Sequence, residues 1–210
     1  MVRIKILVEN TSRDDRLTAR HGLSMLIHTA QSRILLDTGP DDTFIRNADL
    51  MNTELTSVEH LVLSHAHIDH TGGINAFAGI NDDAQIYLAG DPGKRYYFKK
   101  GVFYIPVGLK GRNRVRKRIR NVEGTEKISS DAWMVECSKA DGFTSSLNRN
   151  LYMKENGKKV CDDFRHESTL VIQDGRDLIL FNSCSHAGVS NIIESVKEAF
   201  PGYRIRSFVG

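Results

Sequence analysis

A short apolar run that leads directly into four potential metal ligands constrains this chain more than any other feature. The run, residues 60–64, reads His-Leu-Val-Leu-Ser and is typical of a strand that is buried on both faces. His65, His67, Asp69 and His70 follow it at once. Residues two apart on a strand share a face, so the first two histidines can converge as the chain leaves the sheet. Three imidazoles and a carboxylate suit zinc, iron or manganese, and their density indicates a site for two metal ions.

The same cluster predicts a type of chemistry. Two ions about 3.5–4 Å apart can hold a hydroxide and stabilise a developing oxyanion. The pattern therefore predicts hydrolysis by a metal-bound hydroxide. Asp69 is the candidate catalytic residue, because a carboxylate in this turn can serve both as a ligand and as a proton acceptor.

Hydrophobic patterning around the cluster predicts a layered α/β domain that comprises residues 1–210. The segments with strand-like patterns are 3–8, 22–28, 33–37, 60–64, 85–89, 168–173, 177–181 and 203–209. Asp-Gly-Arg at 174–176 predicts that 168–173 and 177–181 form a hairpin. Helices are predicted after Asp41 or Asp42, after the histidine cluster and from Val189 to Phe200. This order favours two packed sheets with helices outside them. The stretch from about 91 to 165 is less regular and basic, and we interpret it as an elaboration over the core.

Composition narrows the cellular context. The three cysteines are widely spaced and form no CxxC pair, which favours a reducing cytoplasm over a disulfide framework. No apolar run approaches the roughly 18 residues of a membrane span, so a cytoplasmic protein without membrane contact is expected. The formal charge of +3 is too small to indicate nucleic acid as a partner.

Positive charge is nevertheless concentrated in one segment. Arginines occupy every second position from 112 to 120, which would place them on one face of a strand, or in a cationic loop if the segment is not extended. Guanidinium groups bind phosphate in a bidentate manner, so Arg112, Arg114 and Arg116 are candidate phosphate-binding residues. The alternative is an edge strand whose charges prevent aggregation between sheets. Three aromatic residues lie nearby, Tyr96, Tyr97 and Phe98. Their alternative roles are stacking on a substrate ring or base, internal packing, and contact with a second chain in a homodimer.

The residues also carry a family resemblance. His-Ala-His-Ile-Asp-His at 65–70 is similar to the HxHxDH motif of the metallo-β-lactamase superfamily, whose fold is a four-layer αββα sandwich with a dinuclear site at one edge. Ile-Leu-Leu-Asp-Thr-Gly at 34–39 resembles that superfamily's first motif, whose aspartate, here Asp37, supports the site without binding metal. Segments 162–172 and 182–193 resemble one branch, which includes a dihydropterin-forming synthase of methanopterin biosynthesis and many bacterial relatives.

By this resemblance, His65 and His67 bind one metal ion, while Asp69 and His70 bind the other. The remaining ligand of the first ion should come from a later strand–turn. His186 is the preferred candidate, because it follows the apolar strand 177–181 and would lie at the same sheet edge.

Three further residues near that strand–turn carry alternatives. His166 is the rival third ligand, since it lies just before a strand. Cys184 falls where other members place a bridging aspartate, and it is either a ligand or a small buried residue. Glu167 is either a partner of a ligand histidine or an exposed carboxylate. The branch usually carries one more histidine in a Gly-Gly-Phe-His-Leu-like segment, and this chain reaches Gly210 about where that segment would start, so the sandwich could lack its last elements.

Together these features predict a hydrolase that carries two divalent ions, most simply zinc, and acts on a small anionic molecule. The target bond would belong to a phosphate ester, a cyclic phosphate or a lactone, and the resemblance implies pterin-phosphate chemistry. Two alternatives remain. One is a nuclease or phosphodiesterase acting on nucleic acid, and the other is a non-catalytic metal-binding scaffold.

Overall fold

Two β-sheets form the centre of the protein. A computed structural model describes residues 1–110, 112–137 and 148–210. In spatial order, the first sheet consists of β1 (Arg3–Val8), β2 (Ser24–His28), β3 (Arg33–Leu36), β4 (His60–Leu63), β5 (Gln85–Ala89) and β8 (Ile119–Val122). Strands β3, β4, β5 and β8 run parallel, whereas β1 and β2 are antiparallel to their neighbours. The carboxyl ends of β3 and β4 therefore meet at one edge.

The second sheet consists, in spatial order, of β15 (Arg204–Val209), β14 (Asp177–Phe181), β13 (Ser168–Asp174), β10 (Ala132–Glu136) and β9 (Thr125–Lys127). The predicted hairpin is present, with Asp174 paired to Asp177 across a turn in which Gly175 has a φ of 68°. Strand β15 pairs with β14 in parallel, which requires the intervening helix to cross over the sheet.

Helices cover the outer faces of both sheets. On the first sheet they are α1 (Thr43–Leu50), α3 (Ile74–Ile80) and α4 (Arg112–Val115), and on the second sheet α5 (Val189–Ala199). A one-turn helix, α2 (Ile68–Thr71), lies inside the histidine motif. Apolar side chains from both sheets, among them Met134 and Phe181, fill the layer between them. The order of layers is α-β-β-α, as predicted. None of the described helices is long and apolar enough to span a membrane.

The described residues between 91 and 165, which are 91–110, 112–137 and 148–165, contain more strands than predicted. They form a third sheet whose strands are, in spatial order, β12 (Lys158–Cys161), β11 (Leu151–Glu155), β6 (Tyr96–Lys100) and β7 (Phe103–Pro106). They also supply β8 to the first sheet and β9 and β10 to the second. Much of this stretch is therefore part of the sandwich itself. Polar and aromatic residues dominate these strands, which hides their periodicity in the sequence.

The arginine-rich segment does not form the predicted strand. It forms α4 and then a 3-10 turn, Arg116–Arg118, before β8 begins. Arginines at every second position consequently do not share one strand face. Arg118 donates to the carbonyl of Asn81 at 2.8 Å, at the end of β5 opposite the histidine motif, and Arg120 pairs with Glu126. These side-chain contacts hold the segment against the body of the domain.

Candidate metal centre

The histidine-rich edge is assembled from the ends of strands in both sheets. The motif 64–70 leaves β4, and Asp37 follows β3. Residues 183–186 follow β14, while His166 and Glu167 precede β13, which runs antiparallel to β14 and so begins at the same edge. Ser168 N donates to Ser64 O at 2.8 Å and joins the two sheets directly beneath the site.

Three histidines converge at the centre of this edge. Ring nitrogens of His65, His67 and His186 all lie within 4.8 Å of one another. The Nε2 atoms of His65 and His186 are buried and have no hydrogen-bond partner among the residues that the structure describes. Such an unpartnered buried polar atom costs about 1–3 kcal/mol. A divalent cation between the rings would satisfy both nitrogens, so the residues present fit a metal ion.

The opposite nitrogen of each ring is held by a polar partner. His65 Nδ1 lies 2.9 Å from Ser64 Oγ, and His186 Nδ1 lies 2.9 Å from Asn148 Oδ1. His67 is held the other way round, with Nε2 at 3.2 Å from Asp162 Oδ2, which leaves Nδ1 as its ligand atom. Contacts of this kind orient a ligand histidine and select its tautomer.

A second group lies beside the first. His70 Nε2 lies 3.2 Å from Cys184 Sγ and 3.4 Å from Asp69 Oδ2. The rings of His65 and His70 have centroids 4.3 Å apart, so the two groups are adjacent. Cys184 is exposed, which excludes the alternative of a small buried residue. A thiolate, an imidazole and a carboxylate form a donor set that zinc accepts.

Asp37 connects the strands that carry these groups. Its carboxylate is fully buried and accepts hydrogen bonds from the Ser64 backbone and hydroxyl, both at 2.7 Å, and from the Ser183 hydroxyl at 2.6 Å. Oδ2 also lies 2.8 Å from His70 Nδ1. These contacts place Asp37 behind His70, where it orients that ring. The resemblance implies the same role, an aspartate that supports the site without binding metal.

His166 is placed differently from His186. Its Nδ1 accepts a hydrogen bond from Ala66 N at 3.0 Å, so Nε2 carries the proton and donates to Asp162 at 3.2 Å. Both nitrogens of His166 therefore have hydrogen-bond partners. His166, His67 and Asp162 nevertheless lie close enough together to hold a cation. This geometry favours His186 over His166 as the third ligand of the first centre.

Glu167 is buried, which contradicts the alternative of an exposed carboxylate. Its two oxygens accept hydrogen bonds from the backbone nitrogens of His186 at 2.8 Å and Ala187 at 2.6 Å. Glu167 therefore holds the backbone of the loop that carries His186 and does not contact the imidazole as a hydrogen-bond partner.

Burial and mutual repulsion determine the charge state of the imidazoles. Burial lowers the pKa of His65 well below its usual value and that of His186 to about 3, and neighbouring imidazoles add to the effect. Burial also acts on His70, but the Asp37 carboxylate outweighs it and raises the pKa of His70 well above its usual range. Burial alone would raise the pKa of Asp69, yet the hydrogen bond from His70 brings it down to about 2. At neutral pH Asp69 is therefore an anion.

Sequence reasoning missed Asp162 and Asn148. Asp162 is buried and accepts from both His67 and His166, and its pKa falls despite burial because of these two partners. Its position at the start of the branch-like segment 162–172 was visible, but nothing in the sequence distinguishes it from Asp163. Asn148 follows a stretch with no periodic pattern, so no local signal connects it with His186.

The layered fold and its histidine-bearing edge define a class of protein. The chain belongs to the metallo-beta-lactamase superfamily, since residues 17–135 match the sequence profile of that family. The fold and the resemblance predicted from the sequence are thus confirmed.

Individual relatives refine this assignment. The crystal structure of Tm1679, a metal-dependent hydrolase of the beta-lactamase superfamily, superimposes with a TM-score of 0.83 at 25% identity, over 100% of this chain and 76% of that one. A 7,8-dihydropterin-6-methyl-4-(beta-D-ribofuranosyl)-aminobenzene-5'-phosphate synthase of Methanocaldococcus jannaschii is 27% identical over 192 residues, which are 84% of this chain. The chain spans 65% of that synthase's length. An uncharacterized protein of the same organism is 28% identical over 93% of this chain and 74% of its own length.

Proposed function

We propose that the protein is a hydrolase that depends on divalent metal ions and acts on a small anionic substrate containing a phosphate ester or cyclic phosphate. The observation that carries the proposal is the pair of unpartnered, buried Nε2 atoms of His65 and His186 beside His67. Because the free nitrogens of these imidazoles converge within 4.8 Å of one another, the arrangement is suited to a cation.

His65, His67 and His186 would hold the first ion, and Asp69, His70 and Cys184 the second. When bound, such ions activate a water molecule and polarise the bond under attack. Asp69 is ionised at neutral pH, because its pKa lies at about 2, so its carboxylate is available as a ligand and is the candidate proton acceptor. Asp37 orients the ring of His70, and Asp162 orients the ring of His67. Each carboxylate contacts the ring nitrogen that faces away from the candidate metal site.

A phosphate-bearing substrate is supported by two observations. The name of the synthase that this chain resembles ends in a 5'-phosphate. In addition, a cleft of about 400 Å³ is lined by the cationic residues Lys94, Arg95 and Lys110. Gly108 lines the same cleft and pairs with His67 through a β-bridge, which brings this charge next to the histidines. Phosphate binding by Arg112, Arg114 and Arg116 stays a prediction, and the cleft cations are the stronger candidates.

Metal analysis and a substrate panel test the proposal. We expect purified protein to contain divalent metal and to hydrolyse members of a panel of phosphomonoesters, phosphodiesters, cyclic phosphates and lactones. His67→Ala should lose both metal and activity. His28→Ala is the matched control, since His28 ends β2 at the end far from Asp37, and it should retain both. Equal activity in wild type and His67→Ala would disprove the mechanism, while bound metal without any turnover would favour the non-catalytic scaffold.

A second candidate, hydrolysis of single-stranded nucleic acid, is favoured by one face of the third sheet. Lys159 Nζ lies 4.3 Å from the ring centre of Tyr104 and 5.3 Å from that of Tyr97. Lys99 Nζ similarly lies 5.7 Å from the Tyr152 ring. Aromatic rings interleaved with lysines are the usual elements of a surface that binds single strands.

Salt dependence separates the two candidates. Nucleic-acid binding weakens steeply as salt rises, because counterions are released from the phosphates. Activity on an oligonucleotide that falls steeply with salt and with Lys99→Glu plus Lys159→Glu would favour the nuclease. Activity on small phosphate esters that responds to neither change would favour the small-molecule hydrolase.

A further inference from the structure

A histidine outside the motif faces the second group of candidate ligands. His21 lies in the loop between β1 and β2, and its Nε2 atom is 3.6 Å from Asp69 Oδ2. The same carboxylate oxygen lies 3.4 Å from His70 Nε2, so it stands between two imidazole nitrogens. His21, Asp69, His70 and Cys184 line one cavity of about 440 Å³.

The tautomer of His21 is determined by its neighbours. Nδ1 lies 3.0 Å from Asn10 Oδ1, and the backbone N of Gly22 donates to the same oxygen at 3.3 Å. Because that atom accepts from a backbone N–H, it is an oxygen, and His21 Nδ1 must carry the proton. In a neutral ring the lone pair of Nε2 then points towards an anionic carboxylate. A metal ion placed between the two atoms would bind both of them.

The loop is built to approach the motif closely. Gly22 has a φ of 128°, and a Cβ at this position would lie 2.0 Å from Asp69 O. Only glycine permits this contact between the loop and the motif backbone. The side chain of His21 is 86% exposed, so packing does not explain its place. Its placement follows from a specific backbone contact beside Asp69.

The arrangement also repeats what is found at the motif itself. Asn148 binds Nδ1 of His186 and leaves Nε2 facing the cluster, and Asp37 does the same for His70. Asn10 and His21 form a further pair of this type. We propose that His21 is a ligand of the second metal centre, joining Asp69, His70 and Cys184 through Nε2. This inference rests on the proposed function, because it requires that the edge binds two ions.

Metal titration of His21→Gln tests the inference without measuring activity. Metal-free protein would be titrated with zinc against a chromophoric chelator, and cobalt(II) spectra would report the ligand set. We expect wild type to bind two ions and the variant to retain the first, with the second weakened at least about 10-fold. The cobalt bands of the second centre should shift in the variant. His28→Gln is the control histidine and should match wild type in both measurements.

The outcomes separate the two proposals. If wild type and His21→Gln bind two ions with equal affinity and equal cobalt spectra, His21 is not a ligand, while the proposed function stands. If wild type binds one ion, lost in His67→Ala but kept in His21→Gln, the inference also fails. If wild type binds none, both proposals fail, and His21 forms an ordinary ion pair with Asp69. Asn10→Ala supplies a second variant, and a smaller loss of affinity for the second ion would support the inference.

Discussion

Replacing Asp37 tests whether the buried carboxylate holds the two sheets and the centre together. It accepts three hydrogen bonds from Ser64 and Ser183 and a fourth from the imidazole of His70. Removing one partner of a buried charge pair costs about 3–5 kcal/mol, because the other charge stays buried. For a domain of this size each kcal/mol lowers Tm by roughly 2–4 °C. Asp37→Ala should therefore lower the Tm of the metal-free protein by roughly 6–20 °C.

A second variant separates charge from backbone strain. Asp37 has a φ of 57°, a conformation that asparagine tolerates and alanine does not. Asp37→Asn keeps Oδ1 as the acceptor for Ser64 N and tolerates the backbone conformation, but an amide NH2 replaces the charged oxygen Oδ2, which accepts from Ser64 Oγ, Ser183 Oγ and His70. Its free energy of unfolding should fall by at least about 1.5–3 kcal/mol, the usual contribution of one hydrogen bond to a charged group. Zinc affinity should fall about 10–100-fold in the same variant, since Asp37 orients His70.

The assay is urea and thermal unfolding of the metal-free protein at neutral pH, followed by circular dichroism. Asp42→Ala is the matched control, because Asp42 forms an exposed ion pair with Arg46. Such surface pairs contribute about 0–1 kcal/mol. A loss below about 1 kcal/mol for Asp37→Ala would refute the reasoning, because it would mean that the buried network contributes no more than a surface pair.

Three other predictions concern the same edge. Asp162→Ala should weaken zinc binding about 10–100-fold in a calorimetric titration, because two histidines lose their acceptor, and an unchanged affinity would contradict this role. Below pH 6.5 the metal-free protein should lose stability in urea unfolding. There the unfolded chain binds protons at His65, His166 and His186 that the folded chain does not bind, because burial lowers the pKa of these three residues, whereas His70, whose pKa is raised, is protonated in both states and adds no slope. A flat or rising profile below that pH would contradict this sign. Chelation of metal supplied at about 100 times its Kd should remove about 2.7 kcal/mol and lower Tm by roughly 5–10 °C, whereas an unchanged Tm would exclude metal binding to the folded state.

The sequence predicted the motif and the central strands because their signals are local. Leu61, Val62 and Leu63 are buried on both faces of β4, and the apolar run showed this directly. The Asp-Gly-Arg turn at 174–176 likewise predicted the hairpin that the structure contains. In both cases the residues that determine the conformation lie within a few positions of one another.

Predictions failed where the cause is distant in sequence. The alternation of arginines from 112 to 120 predicts a strand, but Val115 is buried against the outer helices, which favours α4 instead. Asp162 and His67 are 95 positions apart, so only the fold reveals that they form a hydrogen bond. His21 has no motif of its own, and its position beside Asp69 depends on the loop contact at Gly22. Side chains that orient other side chains leave no periodic signal.

The division of the ligand set between the two sheets has a mechanical consequence. His65 and His67 leave the first sheet, and His186 leaves the second, so an ion bound by all three would join the halves of the sandwich as a cross-link. Sliding of one sheet over the other would then stretch the metal–ligand bonds. Looser packing of the apolar layer between the sheets would therefore lower the affinity for zinc. Substitutions such as Met134→Ala, in the layer between the sheets, should thus weaken metal binding by changing the distance between the sheets.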